Sequence, residues 1–325
     1  MTHIKNKQIH PELRLLGSTL RLAAPFMKVR MMPGMKQMQD KIMKGRWPGK
    51  FSNCESVEVP RGDGTFLRLL VCMPYHLNGE VPGLLWIHGG GYALGLPEQD
   101  VHFVKRFMEA ADCVVVLPDY TKSVEKPYPA ALEDCYLALK WMRVHAKEYG
   151  IRRDQLFVGG DSAGGGLTAA LTLYARDKGE VSIAFQMPLY PMIDDRPTST
   201  SKDNDAPVWN TASNIGGWQL YLGELYGTKD VPIYAAPARA KDLSGLPPAC
   251  SYIGTLEPFY AEAVTYMLRL KEAGVPVHFK RFHGCFHGFD IVSQRSTPVK
   301  EASRFSAEAF QYAVKNYFAK QPGEE

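Results

Sequence analysis

The sequence predicts an α/β fold in which a mostly parallel sheet is covered by helices on both faces. The first observation behind this is a rhythm. Apolar runs fall at 84–87, 113–117, 156–159, 183–189, 250–253 and 277–282, with helix-like stretches near 129–148, 163–178 and 258–273 between several of them. Strand, helix, strand repeated in this way buries each strand on both faces. The second observation is size. A chain of 325 residues, 45% of them hydrophobic, can bury one large core and still carry a small appendage. Its charged share of 22% is that of an ordinary globular protein.

The N-terminal segment stands apart. Residues 1–50 hold eleven Lys/Arg against two Asp/Glu, a balance of +9, while the remaining 275 hold twenty-seven against thirty-two, a balance of −5. The net charge of +4 gives no case for nucleic acid. Leu13, Leu16, Leu20 and Ala23 form a short helical stripe, which Pro25, Pro33 and Pro48 then interrupt. A basic amphipathic start reads either as an element covering a pocket or as a helix on a membrane surface. The stripe is short and broken by proline, which favours the first. The opening MTHIKNKQIHPELRLLG has no apolar leader region, and no stretch approaches the ~18 apolar residues of a membrane span. Neither a signal peptide nor a stable membrane anchor is expected.

Two strands, Ser56–Val59 and Phe66–Met73, are read on either side of the turn Arg61-Gly62-Asp63-Gly64. The six cysteines at 54, 72, 113, 135, 250 and 285 include no C-x-x-C pair. They read as reduced thiols of a cytoplasmic protein, with no disulfide framework and no metal site.

Residues 196–235 break the rhythm. They are polar from Thr198 to Asp205, then carry Trp209, Trp218, Tyr221, Leu222 and Tyr226. An aromatic insertion between core strands is a candidate lid, because loops at the C-terminal edge of such a sheet bind ligands. Trp209, Trp218 and Tyr221 are the candidate pocket residues.

Gly160-Asp161-Ser162-Ala163-Gly164 carries the chemistry. The pentapeptide is common, but its context is specific. The apolar strand Leu156-Phe157-Val158 runs into it, and Leu167, Ala170 and Leu171 continue a helix out of it. A sharp strand-to-helix turn exposes Ser162 and requires small neighbours. The helix N-terminus directs free N–H groups at a reacting carbonyl. A phosphate loop fits poorly, since no Lys follows the glycines.

His88-Gly89-Gly90-Gly91 follows the strand Leu84–Ile87. Such glycines aim backbone N–H groups at an oxyanion. Gly89, Gly90 and Ala163 are assigned as the three donors, and His88 as a residue that holds the loop. Serine needs a base and the base an orienter, in the chain order Ser, acid, His. His278, His283 and His287 follow Ser162. His287, in the glycine-flanked loop Gly284–Gly288, is the favoured base, with His283 the competitor. Glu257 follows the strand Cys250–Ile253 and is the favoured acid, with Pro258 starting the next helix. Glu262 reads as a salt-bridging residue on that helix. A histidine base predicts activity that falls on acidification through about pH 6–7.

These residues resemble the hormone-sensitive-lipase-like family of α/β-hydrolases, on the branch with bacterial carboxylesterases. The resemblance runs from about residue 83 to 290. It rests on His88–Gly91, on Gly160-Asp161-Ser162-Ala163-Gly164-Gly165, on Pro118-Asp119-Tyr120, on Tyr128–Asp134, on Asp242–Pro248 and on His287-Gly288-Phe289. It implies an α/β-hydrolase fold over 51–325. It also implies a helical cap built from 1–50 and the 196–235 insertion, and a serine esterase acting on short- to medium-chain esters through an acyl-enzyme, with no cofactor. Two departures stand out. Glu257-Pro258-Phe259 replaces the family's D-P-L, and Tyr120-Thr121-Lys122-Ser123-Val124-Glu125 loses the Arg of Y-R-L-A-P-E, so local rearrangement is expected there. The other readings of the same residues are a non-catalytic small-molecule receptor on this scaffold and an amide or peptide hydrolase. An exposed C-terminal strand edge would suit a homodimer.

Overall fold

The computed structural model describes residues 4–23, 31–293 and 295–324. The side chain of Ala23, the last member of the N-terminal stripe, and Pro25 lie outside the described residues.

Eight strands form one sheet in the order β1-β2-β4-β3-β5-β6-β7-β8. They are β1 (Ser52–Pro60), β2 (Phe66–Pro74), β3 (Val81–Ile87), β4 (Val114–Pro118), β5 (Ile151–Asp161), β6 (Phe185–Leu189), β7 (Ala249–Gly254) and β8 (Val277–Phe282). β2 pairs antiparallel with both β1 and β4, and every other pairing is parallel. The parallel strands β3, β4, β6 and β7 are buried along their whole length. That burial is why they read as continuous apolar runs and not as alternating ones. β8 closes one edge of the sheet and stays partly exposed.

Helices α1 (Arg14–Ala23) and α2 (Met32–Met43) precede the sheet. They are followed by α3 (Val101–Ala110), α4 (Ala130–Val144), α5 (Ala163–Lys178), α6 (Thr211–Leu222), α7 (Tyr260–Glu272), the short α8 (Phe289–Val292) and α9 (Thr297–Asn316). Side chains alternate along a strand, so Gly83 and Trp86 of β3 face opposite sides. The open side of Gly83 meets Met142 of α4, whereas Trp86 packs on Phe103 and Phe107 of α3 at 4.5 and 5.2 Å between ring centroids. α3 and α4 therefore cover opposite faces. α9 joins α3 through Phe107 and Phe310, and α5 joins α4 through Tyr136 and Tyr174. The strand–helix rhythm gives no sign of α3 or α9, because their polar outer faces dilute the apolar signal.

The hairpin corrects the reading of the cysteines. Cys54 and Cys72 are register partners on β1 and β2, with Cα atoms 4.1 Å apart, and they form a disulfide. Each lies nine residues from Asp63 in the turn, where the Asp63 carboxylate accepts the Thr65 N–H at 3.0 Å. Antiparallel pairing about that turn brings the two directly opposite one another. Cys113, Cys135, Cys250 and Cys285 are free and buried.

The N-terminal segment is tied to the C-terminal edge of the sheet. Leu13 and Gly17 are buried, with Gly17 set against Phe286 and Pro207, while Leu15 points to solvent. The His10 N–H donates to Gly284 O at 2.8 Å, and the Ile4 N–H donates to Asp205 at 2.8 Å. Gln39 of α2 accepts the Gly95 N–H at 3.0 Å. Among the described residues, no helix is long and apolar enough to cross a membrane.

Candidate active site

Ser162 stands where β5 turns into α5, at φ 56° and ψ −117°. A non-glycine residue at positive φ is strained, and the surrounding bonds hold it there. Its N–H donates to Leu189 O at 3.0 Å, and its carbonyl accepts the N–H groups of Gly166 and Met192 at 2.9 and 3.0 Å. A Cβ on Gly164 would sit 1.9 Å from Ile87 O, so only glycine lets this turn lie against β3.

Three loops bring the remaining groups to Ser162. The turn after β7 carries Glu257, and the loop after β8 carries His287. Ser162 Oγ is 2.8 Å from His287 Nε2, and His287 Nδ1 is 2.6 Å from Glu257 Oε2. The other Glu257 oxygen accepts the Gly254 N–H at 3.0 Å. Burial pushes the Glu257 carboxyl above its ordinary value, opposed by His287 and by the Gly254 N–H. All three residues are buried, Ser162 at 6% exposure and His287 at 4%. His283, the competing base, is exposed, whereas the relay runs through buried His287. Pro258 lies in the turn two residues ahead of α7 and does not start it. Among the described residues, Glu262 makes no salt bridge. Its Oε1 accepts the N–H groups of Ile193 and Asp194 at 2.8 and 3.2 Å, pinning the chain that leaves β6.

The loop after β3 departs from expectation in one respect. The Gly89 N–H donates to Asp161 Oδ1 at 2.8 Å and is not free to meet an oxyanion. The loop instead offers Gly90 and Gly91, at φ 126° and 61°, together with Ala163 at the start of α5. His88 braces this loop. Its Nδ1 lies 2.7 Å from Gly89 O, and its ring stacks on Tyr120 at 4.3 Å. The serine motif by itself gives Asp161 no role. Only the fold shows that its side chain reaches back to the glycine loop.

Aromatic rings wall the imidazole of His287. Phe259 stands 5.0 Å away, Tyr190 5.3 Å and Trp209 6.3 Å. Trp209 also lies against Gly91, where an added Cβ would meet its ring at 2.3 Å. Val208, β-branched yet at φ 70°, turns the chain so that Trp209 enters the site. Trp218 and Tyr221 pack instead on Tyr92, at 5.6 and 3.8 Å. The insertion also holds the acid's turn. Asn204 donates to Leu256 O at 3.2 Å, and Thr200 donates to Pro258 O at 2.8 Å.

The segment that lacks the family's Arg is braced from the β1–β2 hairpin. Arg61 grips Asp134 through two bonds of 2.6 and 2.8 Å, and the Thr121 N–H donates to the same carboxylate at 2.7 Å. Lys122 is buried beside Asp119 at 3.1 Å, under the Tyr120 ring.

A family of proteins described by the alpha/beta hydrolase fold matches residues 84–291. The chain belongs to the α/β-hydrolase family. Among this hydrolase's relatives, esterase LipI of Mycobacterium tuberculosis is 34% identical over 216 residues, 65% of this chain and 67% of the relative. Carboxylesterase NlhH of the same organism is 32% identical over 231 residues, 69% and 72% of the two chains. The solved structure of a bacterial heroin esterase superposes with a TM-score of 0.83 at 33% identity, covering 95% of this chain and 98% of that one. The hydrolase is a carboxylesterase of the hormone-sensitive-lipase-like branch.

Proposed function

We propose that this esterase cleaves short- to medium-chain carboxylic esters through an acyl-enzyme on Ser162. The observation that carries the reading is the continuous relay Ser162–His287–Glu257, at 2.8 and 2.6 Å. His287 takes the Ser162 proton as Oγ attacks the ester carbonyl. Glu257 fixes the imidazole tautomer and stabilises the imidazolium. The N–H groups of Gly90, Gly91 and Ala163 receive the developing oxyanion. His287 then protonates the leaving alcohol, and a water activated by the same imidazole releases the acid.

Segment 1–50 and the 196–235 insertion act together as a cap. The bonds from Ile4 to Asp205 and from His10 to Gly284 support this, since they join the N-terminus to both the insertion and the His287 loop. Trp209 bounds the acyl pocket and restricts its length, and Trp218 and Tyr221 support it from behind through Tyr92.

The experiment is hydrolysis of p-nitrophenyl esters from acetate to laurate by the wild type and Ser162→Ala. The wild type is expected to peak at short chains, and the variant to lose on the order of 10⁴–10⁶ in turnover. A folded wild type that turns over no ester of the series would defeat the substrate assignment. Deleting residues 1–45 tests the cap. Full turnover with unchanged chain-length preference would remove it.

A further inference from the structure

Helix α2 is oriented the wrong way for a simple cover. Helical spacing puts Met31, Met38 and Ile42 on one side and Lys36, Gln39 and Asp40 on the other. The apolar three are exposed, at 42, 59 and 55%, and the polar three are half-buried. Apolar burial alone produces the reverse arrangement. Polar groups withdrawn from water cost free energy unless they find hydrogen-bond partners. The inner face of α2 is therefore held by specific bonds, and the bonds of Gln39 go to the segment that follows β3.

The Gln39 side chain makes two of them. Its Oε1 accepts the Gly95 N–H at 3.0 Å, and its Nε2 donates to Gln99 Oε1 at 3.0 Å. Gln99 in turn donates to Gly89 O at 3.4 Å. Gly95 lies directly on the start of the same loop. An added Cβ there would meet Gly89 O at 2.3 Å and His88 Nδ1 at 2.4 Å. Inside the loop, Gly90 O accepts the Leu94 N–H at 2.9 Å. One side chain thus reaches both ends of the turn that carries Gly90 and Gly91. The C-terminal end of α2 is fixed beside it. The Gly45 N–H donates to buried Glu98 at 2.7 Å, and Arg68 grips that carboxylate at 2.8 and 3.0 Å. Lys44 meets Asp119 at 2.9 Å. These contacts set the register of α2 and so the place of the Gln39 amide.

We propose that Gln39 is a positioning residue for the oxyanion loop, setting the aim of the Gly90 and Gly91 N–H groups. Asp161 holds the loop from the sheet through the Gly89 N–H, and Gln39 holds it from the N-terminal segment. Gln39 acts through Gly95 and Gln99 and not on the substrate. The inference rests on the oxyanion reading of this loop and extends it. Segment 1–50 then supports the chemistry as well as covering the pocket.

Two variants of the full chain test this. Gln39→Leu keeps the size of the side chain and loses both bonds, whereas Gln39→Glu keeps an acceptor for the Gly95 N–H. Hydrogen exchange read by mass spectrometry is the first arm. Peptides covering 88–96 should exchange about 10-fold faster in Gln39→Leu, with those covering 156–170 unchanged, and Gln39→Glu should restore protection. Wild-type exchange at 88–96 in Gln39→Leu would overturn the anchoring. This arm needs no turnover, so it decides the anchoring even if the ester assignment fails. Ester kinetics are the second arm. Gln39→Leu should lose about 10–10²-fold in kcat with KM within about two-fold and chain-length preference unchanged, and Gln39→Glu should recover most of kcat. A loosened loop at wild-type kcat would overturn the positioning role. So would an effect confined to KM or to chain-length preference, which would make Gln39 part of the cover alone.

Discussion

Glu257 Oε2 and His287 Nδ1 lie 2.6 Å apart, and the second Glu257 oxygen is tied to the Gly254 N–H of its own turn. The carboxylate is thus fixed at both ends, and the turn is built to the length of a glutamate. Glu257→Asp shortens the reach by a methylene and breaks one of the two bonds. A loss of about 10²-fold in kcat with KM nearly unchanged is expected. Glu257→Gln presents the wrong group to Nδ1 and should lose about 10⁴-fold. Steady-state kinetics on a p-nitrophenyl ester decide this, and a Glu257→Gln enzyme at wild-type kcat would remove Glu257 from the relay.

Trp209 and Gly91 predict opposite outcomes from two single changes. Gly91→Ala places a Cβ 2.3 Å from the Trp209 ring, at a φ of 61° that disfavours any side chain. It should cost about 10²–10³-fold in kcat by displacing a donor of the proposed oxyanion site. Trp209→Ala removes the wall and should move the preferred ester to longer acyl chains. Chain-length profiles of the two variants measure both effects. An unchanged profile in Trp209→Ala would show that the ring does not bound the pocket.

The Cys54–Cys72 bridge closes the β1–β2 hairpin far from Ser162 in sequence, with a separation of 18 residues. Replacing both cysteines by serine should lower stability by about 2–3 kcal/mol through the freed loop, with kcat unchanged. Denaturant titration reads the first effect and ester turnover the second. Equal stability of the two proteins would mean that the bridge contributes nothing.

Burial raises Asp100 to about 7, with Trp86 and Asp161 opposing the rise and Asp290 adding to it. A carboxyl raised on folding binds its proton more tightly in the native state than in the unfolded one. Its stabilising contribution is therefore complete below the unfolded value of about 4 and is lost as pH rises toward 7. The Tm is expected to decline across that window, and Asp100→Asn should flatten the decline. Calorimetric scans at a series of pH values test this, and parallel slopes in the two proteins would contradict it.

Much of the fold was legible because parallel strands buried on both faces leave unbroken apolar runs. Ser162, Glu257 and His287 were legible because each follows a strand and is bracketed by glycine or proline. The misreadings share one cause, which is dependence on register or on side-chain direction. Cys54 and Cys72 pair only once the hairpin is centred on Asp63. Gly89 is spent on Asp161, a contact between segments 72 residues apart in sequence. Glu262 reads as a salt-bridging residue of its helix, but α7 turns it inward to the N–H groups of Ile193 and Asp194. Helical spacing alone does not tell which side of α7 faces the loop after β6.

Asn204 and Thr200 grip the turn that bears Glu257, so the insertion and the relay are mechanically one piece. A segment exchanged from another esterase to alter substrate choice would also release the acid that orients the base. With the cap as proposed, recognition and chemistry in this chain are not separable modules. With Trp209 bounding the pocket as proposed, a change of specificity is to be sought in single side chains such as this one, while replacement of the whole 196–235 segment would have to bring its own clasp for residues 256–258.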